Sequence, residues 1–155
     1  MPMNNLELKV LPGLVAAACV AAMWFVSSQS PALAFIVPHK QLLALALAGI
    51  GLCIGFSGVL AFRKMKTTVN PIKPGSASCL VTSGIYRYTR NPMYLGLLLI
   101  LAGCATQFAN LLAFLLLPAF VAYMNRFQIE PEERALAAKF QDAFTAYKQS
   151  ARRWL

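Results

Sequence analysis

Acidic residues are scarce in this chain: 5 Asp and Glu stand against 14 Lys and Arg in 155 residues, for a net charge of +9. Charge of either sign is thin at 12%, while 59% of residues are hydrophobic and the mean hydropathy is +0.61. That balance excludes an ordinary soluble domain and marks an integral membrane protein. No charged residue falls inside the long apolar stretches. Ion pumps and proton-coupled carriers use an intramembrane carboxylate or base, so this lack argues against that class. Histidine is limited to His39, beside Pro38 and Lys40 in a short loop, where it reads as a surface residue. The four cysteines have no metal or disulfide spacing: Cys19, Cys53 and Cys104 lie in apolar runs and Cys79 is alone in the central loop, so neither a structural disulfide nor a metal is expected. The basic surplus could suggest nucleic acid in a soluble protein. Here it flanks apolar runs, where topology and anionic lipid head groups account for it, and no nucleic-acid partner is expected.

What is present divides into helices. Apolar patterning predicts an all-α membrane protein with about four transmembrane helices at 10–28, 42–62, 92–105 and 111–127, and a cytoplasmic amphipathic helix at 131–149, all within one domain, 1–155. Ala32-Leu33-Ala34 resembles a signal cleavage site, but it lies beyond a polar turn and Pro31, so the first apolar segment is expected to be retained. Gly49, Gly51, Gly55 and Gly58 allow close helix approach, which predicts that the second helix packs centrally. Arg63, Lys64, Lys66, Lys73, Arg87 and Arg90 share one loop without an acidic residue, which places that loop, and with it both termini, on the cytoplasmic side. The turn residues Pro71 and Pro74-Gly75 give the loop an ordered character. The apolar run 93–124 is broken by 106–110 and reads as a hairpin with an outer tip. Beyond Arg126, Glu130-Pro131-Glu132-Glu133 reads as a fresh helix start, with proline in the first turn and acids favoured by the dipole. Leu136, Phe140, Phe144 and Tyr147 then form one apolar face, for the membrane surface or for the central loop.

The polar chemistry concentrates in residues 80–96, LVTSGIYRYTRNPMYLG. Asn91 suits a helix N-cap and Pro92 a first helical position. The free N–H groups of such a start, with Arg87 and Arg90, favour a carboxylate or phosphate, and Tyr86, Tyr88 and Tyr94 add rings and hydroxyls. Singly, each of these residues reads as an interfacial anchor or topology signal; it is the set that points to a site. If the last two helices form a hairpin, Arg126, Gln128, Glu132 and Glu133 face Tyr86, Arg90, Asn91 and Tyr94.

These motifs, followed by RFQIEPEE and an aromatic amphipathic helix ending in RRWL, resemble the isoprenylcysteine carboxyl methyltransferase family, including its small bacterial members and the related phospholipid methyltransferases. The resemblance covers roughly residues 60–155. It implies an S-adenosylmethionine-dependent methyltransferase of a bacterial inner membrane, acting at the cytoplasmic face on a lipophilic small molecule or lipidated acceptor. By position it carries cofactor binding to Ser78, Cys79, Leu80, Val81, Tyr86, Asn91, Pro92, Met93, Tyr94 and Glu132, with Arg90 and Glu133 beside them and Asn70 as an addition. The eukaryotic enzymes have histidine at Asn91, and asparagine is no base near neutral pH. A substrate-contacting arginine of those enzymes falls at Gln128, with Arg126 two residues earlier. Arg126 and Gln128 are therefore the candidates for positioning the acceptor.

The residue types suit methyl transfer. Glu132 can accept from the ammonium or hydroxyls of the cofactor, the Asn91 helix start or an arginine can hold its carboxylate, and tyrosine faces attract a sulfonium. Positioning and water exclusion carry such a transfer more than acid–base chemistry. A non-enzymatic membrane scaffold or subunit, binding anionic lipid or a partner through the basic loop, is the reading from another class. It needs the charge but not Asn91, Tyr94 and Glu132 in that arrangement.

Overall fold

The computed structural model describes residues 7–65 and 78–155. Asn70, Lys66, Lys73 and the turns at Pro71 and Pro74-Gly75 lie outside the described residues. The described residues form five α-helices, α1 (Pro12–Gln29), α2 (Lys40–Lys64), α3 (Pro92–Phe108), α4 (Leu111–Met124) and α5 (Glu130–Ser150), and two isolated bridges, Ala34 with Asn110 and Thr89 with Arg152. Three helical segments are long and apolar enough to cross a membrane, and α3 is a shorter apolar helix. The chain is an integral membrane protein.

Prolines open α1 and α3, where their missing N–H is one of the groups a helix start leaves unbonded anyway. The α3–α4 turn is tight. Ala109 takes a left-handed conformation (φ 48°) to end α3, and the Asn110 side chain caps α4 by accepting from the Leu112 N–H at 3.0 Å. The Asn110 amide also donates to the Ser30 carbonyl at 2.8 Å, and the Phe35 N–H donates to the Ala109 carbonyl at 2.9 Å. The α1–α2 connection and the hairpin tip therefore meet at one end of the bundle. The described part of the central loop, residues 78–91, the start of α1 and all of α5 gather at the other.

The helix at the centre is α3, which packs against α1, α2 and α4. This corrects the expectation for α2, which has α3 as its helical neighbour and leaves Leu42, Leu45, Ile50, Leu52, Phe56 and Leu60 exposed. The glycines fix how close that one contact is, and they do not multiply the partners. A Cβ on Gly51 would stand 2.6 Å from the Gly96 carbonyl oxygen, and one on Gly96 would stand 2.5 Å from that of Gly51. Gly49, by contrast, faces open space.

A second correction concerns the start of α5. The backbone does not stop after α4. It widens into a π turn, Asn125–Ile129, with the Glu130 N–H donating to the Asn125 carbonyl, and runs on into α5. Glu130, Glu132 and Glu133 thus follow a continuous helix and meet no free helix start, so the dipole argument does not hold for them. Pro131 cannot donate to Phe127, and that carbonyl accepts instead from the Leu8 N–H at 3.1 Å. α5 kinks at Gln141 (φ 44°, ψ −117°). Its apolar face takes the second of the two expected placements. Leu136, Phe140, Phe144 and Tyr147 pack with Leu80, Val81, Ile85 and Tyr86 of the loop and with Ala61 and Phe62 at the end of α2.

Candidate functional site

Two apolar clusters meet near the N-terminus of α3. One joins α1, α3 and α4 around Tyr94, Leu101, Phe120, Met124 and Ile129. The other holds Tyr86 and Tyr147 between α5 and the loop. Polar side chains line the seam. The Tyr94 hydroxyl donates to the Glu132 carboxylate, and the Gln128 amide donates to the same oxygen at 3.0 Å. Gln128 and Tyr94 are themselves within hydrogen-bonding reach. The Tyr147 hydroxyl donates to the Tyr86 carbonyl at 2.8 Å. The charge of Glu132 is felt at the Tyr86 hydroxyl, so Tyr86, Tyr94, Gln128 and Glu132 form one neighbourhood.

Glu132 lies beyond the apolar part of α4, yet burial pushes its carboxyl up to about 7, against the hydrogen bonds of Tyr94 and Gln128, which pull it down, and with the charge of Glu133 adding to the rise. Burial likewise raises the Tyr86 and Tyr147 phenols above their ordinary value, with Arg90 pulling Tyr147 the other way. The phenols are therefore neutral donors. Among the described residues no arginine or lysine pairs with Glu132. It is a carboxylate met by neutral donors.

Arg90 and Glu133 come together with each other. The Arg90 Nη2 donates to Glu133 Oε1 at 3.0 Å, and its Nη1 donates to the carbonyls of Ala151 and, at 3.2 Å, Lys148. Arg153 binds the same carboxylate through Nε at 3.2 Å and Nη2 at 2.7 Å. Burial alone would raise the Glu133 carboxyl, but the hydrogen bonds and charges of Arg153 and Arg90 outweigh it and hold the group below its ordinary value. This clamp faces the C-terminal tail, and both members are committed to it.

Asn91 occupies the N-cap position without capping. Its own N–H donates to Thr89 Oγ1 at 3.2 Å, and its side-chain amide donates to the Arg153 carbonyl at 2.9 Å, tying the tail to the start of α3. That is a correction to the capping role expected of it. Pro92 is buried and, with Met93, packs over Gly58. Leu80 and Val81 support Tyr86 in the second cluster. Cys79 donates its thiol to the Met65 carbonyl at 3.7 Å, and Ser78 is exposed at the border of the described residues.

Arg126 does not join the seam, contrary to expectation. Its guanidinium binds Glu7 at 2.9 Å and Glu130 at 3.9 Å. The reason is helical phase: Arg126, Glu130 and Arg134 share one face, and Gln128 and Glu132 another. Sequence reasoning missed Glu7, Thr89 and Arg134, and it took Arg153 and Trp154 only as an interfacial terminus, whereas the Trp154 indole donates to Asn125 Oδ1 at 3.0 Å. Scarcity was a usable signal for Glu7, one of only 5 acids in the chain.

The chain is 48% identical over 63 residues to an uncharacterized protein of Haemophilus influenzae, a stretch that is 41% of this chain and 100% of that protein. No solved structure matches it. The family model described as phospholipid methyltransferase matches residues 39–143, which span α2, α3, α4 and the first part of α5 with the seam between them. By that match the chain belongs to the phospholipid methyltransferase family.

Proposed function

We propose that this protein transfers a methyl group from S-adenosylmethionine to a lipophilic acceptor, an isoprenylcysteine-like carboxylate or a phospholipid amine, and that the whole chain forms one methyltransferase domain. Within its family its motifs resemble those of the isoprenylcysteine carboxyl methyltransferase-like members. The single observation that carries the reading is Glu132: a partly buried carboxylate held by the neutral donors Tyr94 and Gln128, in a chain of this family.

That donor set fits the cofactor. Glu132 would hold its ammonium by a charge-assisted hydrogen bond, and the rings of Tyr86 and Tyr94 would face a cation. Leu80, Val81, Pro92 and Met93 would line the pocket. When bound, S-adenosylmethionine supplies an electrophilic methyl group on a sulfonium. The residues of this chain bind, orient and exclude water. His39 stands at the far end of α2, so no imidazole serves as base at the seam. The acceptor must then arrive as a nucleophile, as a carboxylate or an unprotonated amine does. Gln128 sits where it could position that acceptor as well as Glu132.

The end of the bundle that carries the seam also carries Arg63, Lys64, Arg87, Arg90, Arg126, Arg134, Arg152 and Arg153. The positive-inside rule supports placing this end, both termini and the reaction at the cytoplasmic face of a bacterial inner membrane.

The test is calorimetric titration of S-adenosylmethionine onto detergent-purified, lipid-supplemented protein, followed by release of S-adenosylhomocysteine with carboxylate, amine and thiol lipids in turn. Saturable binding and acceptor-dependent release are expected. Folded protein that binds no cofactor would overturn the reading in favour of a non-enzymatic membrane subunit.

A further inference from the structure

Glu7 and Leu8, ahead of α1, sit on the back of the seam. Glu7 is 4% exposed, and its two carboxylate oxygens bind different arginines, Oε1 to Arg126 at 2.9 Å and Oε2 to Arg134. The next residue, Leu8, is held in a left-handed conformation (φ 57°), and its N–H fills the Phe127 carbonyl that Pro131 leaves unbonded. A leucine adopts such a backbone only where surrounding contacts impose it.

These contacts bracket the site. Arg126 precedes Gln128 and Arg134 follows Glu132, so one carboxylate spans the π turn and the first turn of α5. A π turn holds one residue more than an α turn. Rewinding it would rotate everything after it by about 100° about the helix axis, because each α-helical residue advances by that angle. Glu132 would leave Tyr94, and Glu133 would leave Arg90 and Arg153.

We propose that Glu7, with the Leu8 N–H, is a positioning element for the cofactor pocket, holding the π turn open through Arg126 and Arg134 so that Gln128 and Glu132 face Tyr94. Glu7 touches neither cofactor nor acceptor. The inference rests on the reading of Glu132 given above.

Two measurements on the full-length protein in detergent separate the parts: backbone hydrogen–deuterium exchange across 125–134, and the S-adenosylmethionine dissociation constant by calorimetry, for wild type, Glu7→Gln, Glu7→Asp and Arg134→Gln. The expected result for Glu7→Gln is faster exchange confined to 125–134 and affinity weakened about tenfold, the loss that follows when a charge-assisted hydrogen bond to the cofactor is displaced. Glu7→Asp, which keeps a carboxylate, should recover most of the affinity. Arg134→Gln removes one arm at an exposed position and shows the same trend if Glu7→Gln does not fold. Unchanged exchange in both Gln variants would overturn the clasp. Faster exchange with unchanged affinity would overturn the positioning role. A wild type that binds no cofactor would overturn the functional reading and the positioning role with it, while the exchange data would still decide whether Glu7 holds the turn.

Discussion

Tyr94, two residues inside α3, donates its hydroxyl to Glu132, two residues inside α5, and so joins the two ends of the polar seam across 38 positions of sequence. If the carboxylate is the cofactor's anchor, its loss should matter more than the loss of the phenol. A hydrogen bond to a charged group is worth about 1.5–3 kcal/mol, or roughly ten- to hundredfold in affinity. Glu132→Ala should therefore abolish measurable S-adenosylmethionine binding or weaken it to that extent. Tyr94→Phe, which keeps the ring, should cost only a few-fold. Calorimetry on folded variants reads both, and equal losses would point to collapse of the seam.

The raised Glu132 carboxyl predicts a pH dependence with a definite sign. Without ligand the group is largely protonated below about 7, whereas an ammonium partner requires it ionised. Affinity should rise between pH 5.5 and 7, approaching tenfold per unit at the acid end, and Glu132→Gln should flatten the slope. Stability of the ligand-free protein runs the other way. A carboxyl raised in the folded state contributes stability that is present below the unfolded value and lost as pH rises through about 7. Thermal unfolding in detergent should show the decline, and saturating cofactor should offset it.

The helices were legible because long apolar runs and the Pro and Asn punctuation at Pro92 and Asn110 are local signals. The aromatic spacing from Leu136 to Tyr147 likewise showed its face, and the structure identified the partner as the loop around Tyr86. What the sequence hid was phase and long-range pairing. Glu130-Pro131-Glu132-Glu133 reads locally as a helix start, yet Pro131 lies within a continuous helix, and the Phe127 carbonyl it leaves unbonded accepts from the Leu8 N–H near the other end of the chain. The same turn decides that Gln128 faces the seam while Arg126 faces Glu7. The partnership of Asn91 with Arg153 spans 62 positions and leaves no periodic trace.

The α2–α3 contact predicts unequal tolerance among glycines that look alike in sequence. A methyl group on Gly96 would press on the backbone of Gly51 and on Gly55 Cα, 3.0 Å away, and backbone yields little. Gly96→Ala should cost about 1–3 kcal/mol, the usual range for overpacking. Gly49→Ala should be neutral to slightly stabilising, since nothing lies within 4 Å of the added atom and alanine is the better helix former. Detergent-resistant thermal stability of the two variants provides the comparison.

The clamp on Glu133 makes the last prediction. Its side chain is 13% exposed and that of Arg90 11%, so Glu133→Gln would leave two guanidinium groups close together without their shared anion. Breaking a buried pair from one side costs about 3–5 kcal/mol, because the remaining charge stays desolvated. Arg153→Gln should cost less, since that side chain is 35% exposed and Arg90 remains to pair with the carboxylate. The folded Glu133 carboxyl lies below its ordinary value, so its contribution is present above the normal carboxylate range and is lost as pH falls through the depressed value. Acid unfolding should thus begin later in wild type than in Glu133→Gln. Because Asn91 and Thr89 still hold the same tail through the Arg153 carbonyl, loss of the clamp alone should not release the last residues to proteolysis before α3 and α4 unfold.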